Sequence, residues 1–274
     1  MRPSRSTALG GTLLLAAITT MTATAHANDT VLLHAAGSLR FALTEVIAAY
    51  EPTAGAKVQS KFGASGTLKD AIAKGERAEV FASANMEHPL ALADAKRSGP
   101  VVLFARNRLC ALVRPGLAVT PATLLDRMLD PAVKLATSTP KADPSGDYAW
   151  EVFRKADKLK PGSFAILEKR ALQLIGAPTS AVPPEGRVAY AWHIAEGRAD
   201  IFLTYCTNAM AAMAEAPGQQ MVQLPDSLAV GADYGLTVMA EAPASAYRFA
   251  MFILSPAGQR ILAKHGFTAP GLSQ

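Results

Sequence analysis

The chain has 274 residues, 50% hydrophobic and 18% charged, with a formal net charge of +5. That balance excludes an intrinsically disordered chain, which needs low hydrophobicity and high charge. Two cysteines are too few for a disulfide scaffold, and the length allows one large domain or two of ordinary size.

The chain opens with Arg2 and Arg5, then an apolar run from Gly10 to Ile18, then Ala25-His26-Ala27. A basic start, a short apolar core and a small-x-small site read as a cleavable secretory signal peptide over residues 1–27. A soluble, exported mature chain beginning at Asn28 is expected, and removing Arg2 and Arg5 lowers its charge to +3. No basic stripe interleaved with aromatics follows, so no nucleic-acid partner is expected.

The next segments alternate apolar strands with amphipathic helices, which predicts an α/β fold with mostly parallel strands. Val31–Ala35 reads as a buried strand. Leu39, Ala42, Leu43, Val46, Ile47 and Tyr50 recur at helical spacing. Val58–Phe62 alternates as a strand, and a short helix from Leu68 can end at Gly75. Ala78–Ala82, Leu109–Val113, Val133–Ala136, Ile201–Tyr205 and Leu236–Met239 are further strands. Ala149, Val152, Phe153 and Ala156 mark one more helix face, and Val188, Ala191, Trp192 and Ala195 another. Ala246–Ile253 and Pro256–His265 close the chain as helices.

At three strand-to-helix passages a serine stands beside glycine: Gly37-Ser38, Gly63-Ala64-Ser65-Gly66 and Asp143-Pro144-Ser145-Gly146. Each serine can serve as an N-cap, and small neighbours leave the backbone N–H groups uncovered. Several such helix starts at the carboxyl edge of a sheet would form a cradle for an oxyanion. Asp126, Asp130, Asp143 and Asp147 read as turn and cap residues.

Catalytic signatures are weak. Gly63-Ala64-Ser65-Gly66-Thr67 approaches a nucleophile elbow but has Thr67 where the last glycine belongs. An exported serine hydrolase using Ser65 is the enzyme alternative; no histidine stands in a matching signature. No phosphate-binding loop, dinucleotide fingerprint or H-E-x-x-H motif occurs. Export favours pairing of Cys110 with Cys206, a bridge that would contribute about 4–5 kcal/mol in the chain-entropy model. Two buried small hydrophobes are the alternative.

Ala35-Ala36-Gly37-Ser38-Leu39, Phe62-Gly63-Ala64-Ser65-Gly66-Thr67-Leu68 and Ala78-Glu79-Val80-Phe81-Ala82-Ser83-Ala84 resemble the opening of the periplasmic molybdate-binding proteins, the substrate-binding components of molybdate ABC transporters. Gly197 to Tyr205 and His265-Gly266-Phe267 resemble later parts of that family. The resemblance implies a two-domain class II periplasmic binding fold with the ligand in the cleft. Domain one would cover 28–106 plus 225–274, and domain two 107–224. It implies a periplasmic monomer without catalytic residues or cofactor, whose ligand is molybdate or tungstate. The molybdenum would arrive only inside its oxyanion, with no direct protein ligand. The partners would be a membrane permease and its ATPase. Carried over by motif, the ligand-binding residues are Ser38, Ser65, Ser145 through its amide, Tyr205 through its hydroxyl, and an amide at Arg187. That last position departs from the family's usual valine, and Val188 stands beside it. Sulfate or phosphate is the alternative cargo. Arg106 and Arg108 could line the mouth of the cleft, and Tyr148 could form a wall or simply pack.

Overall fold

The computed structural model describes Met1 and residues 30–54 and 56–272; the expected signal peptide lies outside them. In chain order the elements are β1 (Thr30–Ala36), a 3-10 turn (Gly37–Leu39), α1 (Arg40–Ala54), β2 (Lys57–Gly63), α2 (Ser65–Ala73), β3 (Val80–Ser83), α3 (Glu87–Asp94) and β4 (Val102–Val113). Next come α4 (Leu124–Leu129), β5 (Leu135–Ser138), α5 (Pro144–Leu159), α6 (Ser163–Arg170), β6 (Leu172–Ile175), α7 (Ala189–Ala195) and β7 (Ile201–Tyr205). The chain ends with α8 (Cys206–Glu215), β8 (Gln220–Gln223), β9 (Gly231–Val238), α9 (Ala244–Leu254) and α10 (Pro256–Lys264).

The strands run in the order β2-β1-β3-β9-β4-β7-β5-β6, with β8 also on β4. β1 pairs in parallel with β2 and β3, and β5 in parallel with β6 and β7. The middle is antiparallel: β9 against β3 and β4, and β4 against β7 and β8. β1 is almost wholly buried, as a strand covered by helices on both faces must be.

Strand β4 changes partners along its length. Val102–Arg108 pairs with β9, whereas Leu109–Val113 pairs with β7 and β8. The sheet therefore has a first half (β2, β1, β3, β9) and a second half (β8, β7, β5, β6), with β4 running from one into the other. Sequence reading placed β4 only at its second-half portion, because Arg106 and Arg108 interrupt the apolar run.

The helical periodicities place the core. Ala149, Val152, Phe153 and Ala156 on α5 are all fully buried. Tyr50 of α1 packs on Phe249 of α9, ring centroids 5.0 Å apart. Removing such a side chain from water is worth about 1.5–3 kcal/mol. Elements without a periodic signal went unread. β6 (LQLI) is short and half exposed, β8 (QMVQ) is framed by glutamines, and α8 starts directly after β7 with no turn residue between.

Of the two readings of the cysteines, the disulfide holds: Cys110 and Cys206 are bonded, with their Cα atoms 4.9 Å apart. The bridge ties the second-half portion of β4 to the first residue of α8, directly after Tyr205.

Candidate functional site

The carboxyl ends of β1, β2 and β3 face those of β5, β6 and β7 across a cavity of about 200 Å3. Ser38 and Ser65 line it from the first half, and Arg187 and Tyr205 from the second. Four of the five residues singled out from sequence therefore line one cavity, two from each side. Ser145 is not among the lining residues; Asp143 takes that place.

Ser38 sits in the 3-10 turn between β1 and α1, its Oγ 3.0 Å from the Tyr234 hydroxyl. The Asn107 amide also donates to Tyr234, at 3.3 Å, and to Thr207 at 2.9 Å. This chain runs from the cavity wall to the part of β4 where the partner change occurs. Ser65 is buried, and its Oγ accepts the Ala84 amide at 3.1 Å, which leaves its O–H able to donate elsewhere. Tyr205 is buried and donates to the Ala84 carbonyl at 3.4 Å, a bond between the two halves. Burial pushes the Tyr205 and Tyr234 phenols well above their ordinary range, so both remain O–H groups. Tyr148 stands edge-on to Tyr205, centroids 6.3 Å apart, and packs against the core.

None of the three serines is an N-cap. The turn before α1 is capped by Ala36, α2 by Ala64, and α5 by Asp143. At two of these starts, α2 and α5, some of the amides are already engaged within the protein. The Gly66 and Thr67 amides at the start of α2 donate to the Ala142 carbonyl, in the second half, at 2.9 and 3.3 Å. The Ser145 amide donates to Asp143 Oδ1 at 3.1 Å. Asp143 thus caps its helix, as read from sequence, but it also faces the cavity. Burial raises its carboxyl to about 6, against the lowering effect of the Ser145 amide and the Ser138 hydroxyl.

The Arg187 guanidinium is held by Glu215, Nε to Oε1 at 2.5 Å, and its amide donates to the Pro184 carbonyl at 3.1 Å. The Val188 amide goes to the other oxygen of Glu215. Arg106 pairs with Asp233 at 2.9 Å.

Three further lining residues were missed: Arg40, Tyr190 and Asn208. Arg40 lies 4.9 Å from the centroid of the Phe62 ring. A cation in the first turn of a helix opposes the helix dipole, and that misfit was the available signal. Asn208 donates to Thr204 Oγ1 at 3.0 Å, one turn into α8. With α8 itself unread, nothing pointed to it.

Comparison with known proteins agrees with this architecture. The periplasmic molybdate-binding protein of Azotobacter vinelandii superposes with a TM-score of 0.71 at 20% identity, over 88% of this chain and 99% of that one. The sulfate-binding protein SubI of Mycobacterium tuberculosis H37Rv gives 0.72 at 18% identity, over 88% and 87%. Both establish the α/β periplasmic binding fold. The uncharacterized protein PM1146 of Pasteurella multocida (strain Pm70) is 32% identical over 235 residues, 85% of this chain and 96% of that protein. The family model described as bacterial extracellular solute-binding protein matches residues 31–268, and the chain belongs to that family of non-enzymatic solute-binding proteins.

Proposed function

We propose that the protein captures a tetrahedral oxyanion, molybdate and with it tungstate, and delivers it to an ABC permease driven by a cytoplasmic ATPase. Solute-binding proteins of this family work with ABC transporters. The observation that carries the ligand class is the shared cavity: hydroxyls of Ser38 and Ser65 line it from one half and that of Tyr205 from the other. The signal peptide read at the start of the chain would place this capture in the periplasm.

In this reading, residues 28–106 plus 225–274 and residues 107–224 move as two lobes about β4. A ligand that touches Ser38 and Ser65 on one side and Tyr205 on the other favours the form in which the sides meet. Arg40 stands at the rim of the cavity as a positive group that draws an anion toward it, whereas the Arg187 charge is paired with Glu215. Ser145 lies behind Asp143 and acts through the start of α5. The molybdenum keeps its four oxygens and takes no protein ligand. Two of the solved neighbours are named for oxyanions, molybdate in one and sulfate in the other.

Fixed donors select by size. A smaller oxyanion leaves some hydroxyls unsatisfied, at about 1–3 kcal/mol each. Isothermal titration with molybdate, tungstate, sulfate and phosphate tests the reading. Molybdate and tungstate should bind alike, with sulfate at least tenfold weaker. Equal affinity for sulfate would remove the size argument, and no binding of any of the four would remove the oxyanion reading.

A further inference from the structure

A carboxyl group is an unexpected lining for a cavity that takes an anion. Asp143 is 9% exposed and faces the cavity. One of its oxygens is committed to the Ser145 amide. The space for the carboxyl exists because residue 176 is glycine. Gly176 has φ +96°, and a Cβ there would stand 2.8 Å from the Asp143 Cβ.

No cation among the lining residues is turned to neutralise it. Arg187 is drawn to Glu215, and Arg40 lies over Phe62. The other titratable groups within electrostatic reach of Asp143 are Asp147 from the same helix, Tyr190 from α7, Tyr205 from β7 and Tyr234 from β9, with the Ser138 hydroxyl at the end of β5. The phenols are neutral and Asp147 is acidic, so this shell adds no positive charge. A dianion beside an ionised carboxylate in such a place meets direct repulsion, the situation in which two acids come to share one proton.

We propose that Asp143 couples anion capture to a proton: molybdate is held with one hydrogen placed between the Asp143 carboxyl and a ligand oxygen. This rests on the oxyanion reading above. Molybdate carries no proton at neutral pH, so the hydrogen is drawn from solvent, one for each anion bound. Asp143 then donates to the ligand with one oxygen while the other still accepts from Ser145. An oxyanion that brings its own hydrogen, such as hydrogen phosphate, needs no such uptake. Asp143 is therefore a specificity residue, set by which partner supplies the proton. The raised carboxyl places the change in the range where it is felt, because above about pH 6 the empty site is ionised.

The test is titration of the whole protein with molybdate between about pH 6 and about pH 8.5, in two buffers of unlike ionisation heat. Above about pH 7 the wild type should take up close to one proton per anion, falling toward half a proton near pH 6, and its Kd should weaken roughly tenfold per pH unit above about pH 7. Asp143→Asn keeps an oxygen for the Ser145 amide and offers N–H to the ligand. It should bind with no pH slope, and more tightly than wild type at the alkaline end. A flat wild-type profile without proton uptake overturns the proposal even if Asp143→Asn does not fold, and so does a slope that survives in Asp143→Asn. Either result leaves the oxyanion reading standing. Absence of molybdate binding at every pH overturns both.

Discussion

The starts of α2 and α5 are nearly the same in sequence, Ala64-Ser65-Gly66 and Pro144-Ser145-Gly146, yet their amides end on different kinds of partner. At α5 the partner is local: Asp143 accepts the Ser145 amide from two residues away. At α2 it is the Ala142 carbonyl, which belongs to the other half of the sheet. The glycines divide the same way. A Cβ on Gly146 would meet Ser138 O, Pro140 N and Thr139 C at 2.6 Å, all within its own half. A Cβ on Gly66 would collide with the Lys141 carbonyl oxygen, across the cavity. One start is finished by its own sequence; the other is finished only when the two halves meet. If the two lobes move as proposed, a helix start that needs the opposite side for its hydrogen bonds senses closure directly.

The sharpest division between the two should appear in pH dependence, because only α5 is capped by a titrating group. The Asp143 carboxyl lies at about 6 in the folded protein against an ordinary value of 3.8. Between those values the folded chain holds the proton more tightly than the unfolded one. Stability therefore falls as pH rises from about 4 to about 6, by about 2–3 kcal/mol in total, and this contribution then levels off. Asp143→Asn should flatten that fall, read from urea midpoints across the range. Parallel curves for the two proteins would mean that the cap is solvated.

The glycine pair gives a smaller effect with a clearer signature. Gly146→Ala should cost about 1–3 kcal/mol by overpacking, lowering Tm and leaving the radius of gyration alone. Gly66→Ala should do the reverse. The two bonds to Ala142 are lost, about 1–3 kcal/mol together, while the strand pairing within each half is kept. Small-angle scattering should show an expanded molecule of near wild-type Tm, with molybdate binding weakened. Expansion in Gly146→Ala, or an unfolded Gly66→Ala, would break the comparison.

What the sequence showed and hid follows from the same contrast. β1, α1, α5 and β7 carry runs or periods that burial alone explains, and the structure has them close to where they were read. Ser38 and Ser65 could be placed together because strand ends at a sheet edge converge; Arg187 and Tyr205 came only through the family resemblance, and all four line the cavity. The capping did not follow. Which acceptor finishes a helix depends on what stands opposite, and nothing near Gly66 in the chain indicates Ala142. Arg187 likewise gives its guanidinium to Glu215, 28 positions away on a helix that had no signal of its own.

The smallest expected change is the one that separates the two serines. Ser65 Oγ accepts a buried amide, so Ser65→Ala strands the Ala84 N–H and should cost about 1–3 kcal/mol of stability as well as weakening molybdate binding. Ser145 Oγ is fully buried and has no hydrogen-bond partner among the described residues. Its hydroxyl is already desolvated without compensation, so an alanine removes a group that costs the fold something. Ser145→Ala should leave Tm unchanged or raise it, by no more than about 1 kcal/mol in stability. Its helix start is unaffected, because the Asp143 bond goes to the Ser145 backbone and not to the side chain. Molybdate affinity decides the rest. If it is unchanged in Ser145→Ala, the residue serves the site only through its capped amide. If it falls while Tm does not, the orphaned hydroxyl is kept for the ligand, and the start of α5, like that of α2, is completed by something that reaches it from outside its own sequence.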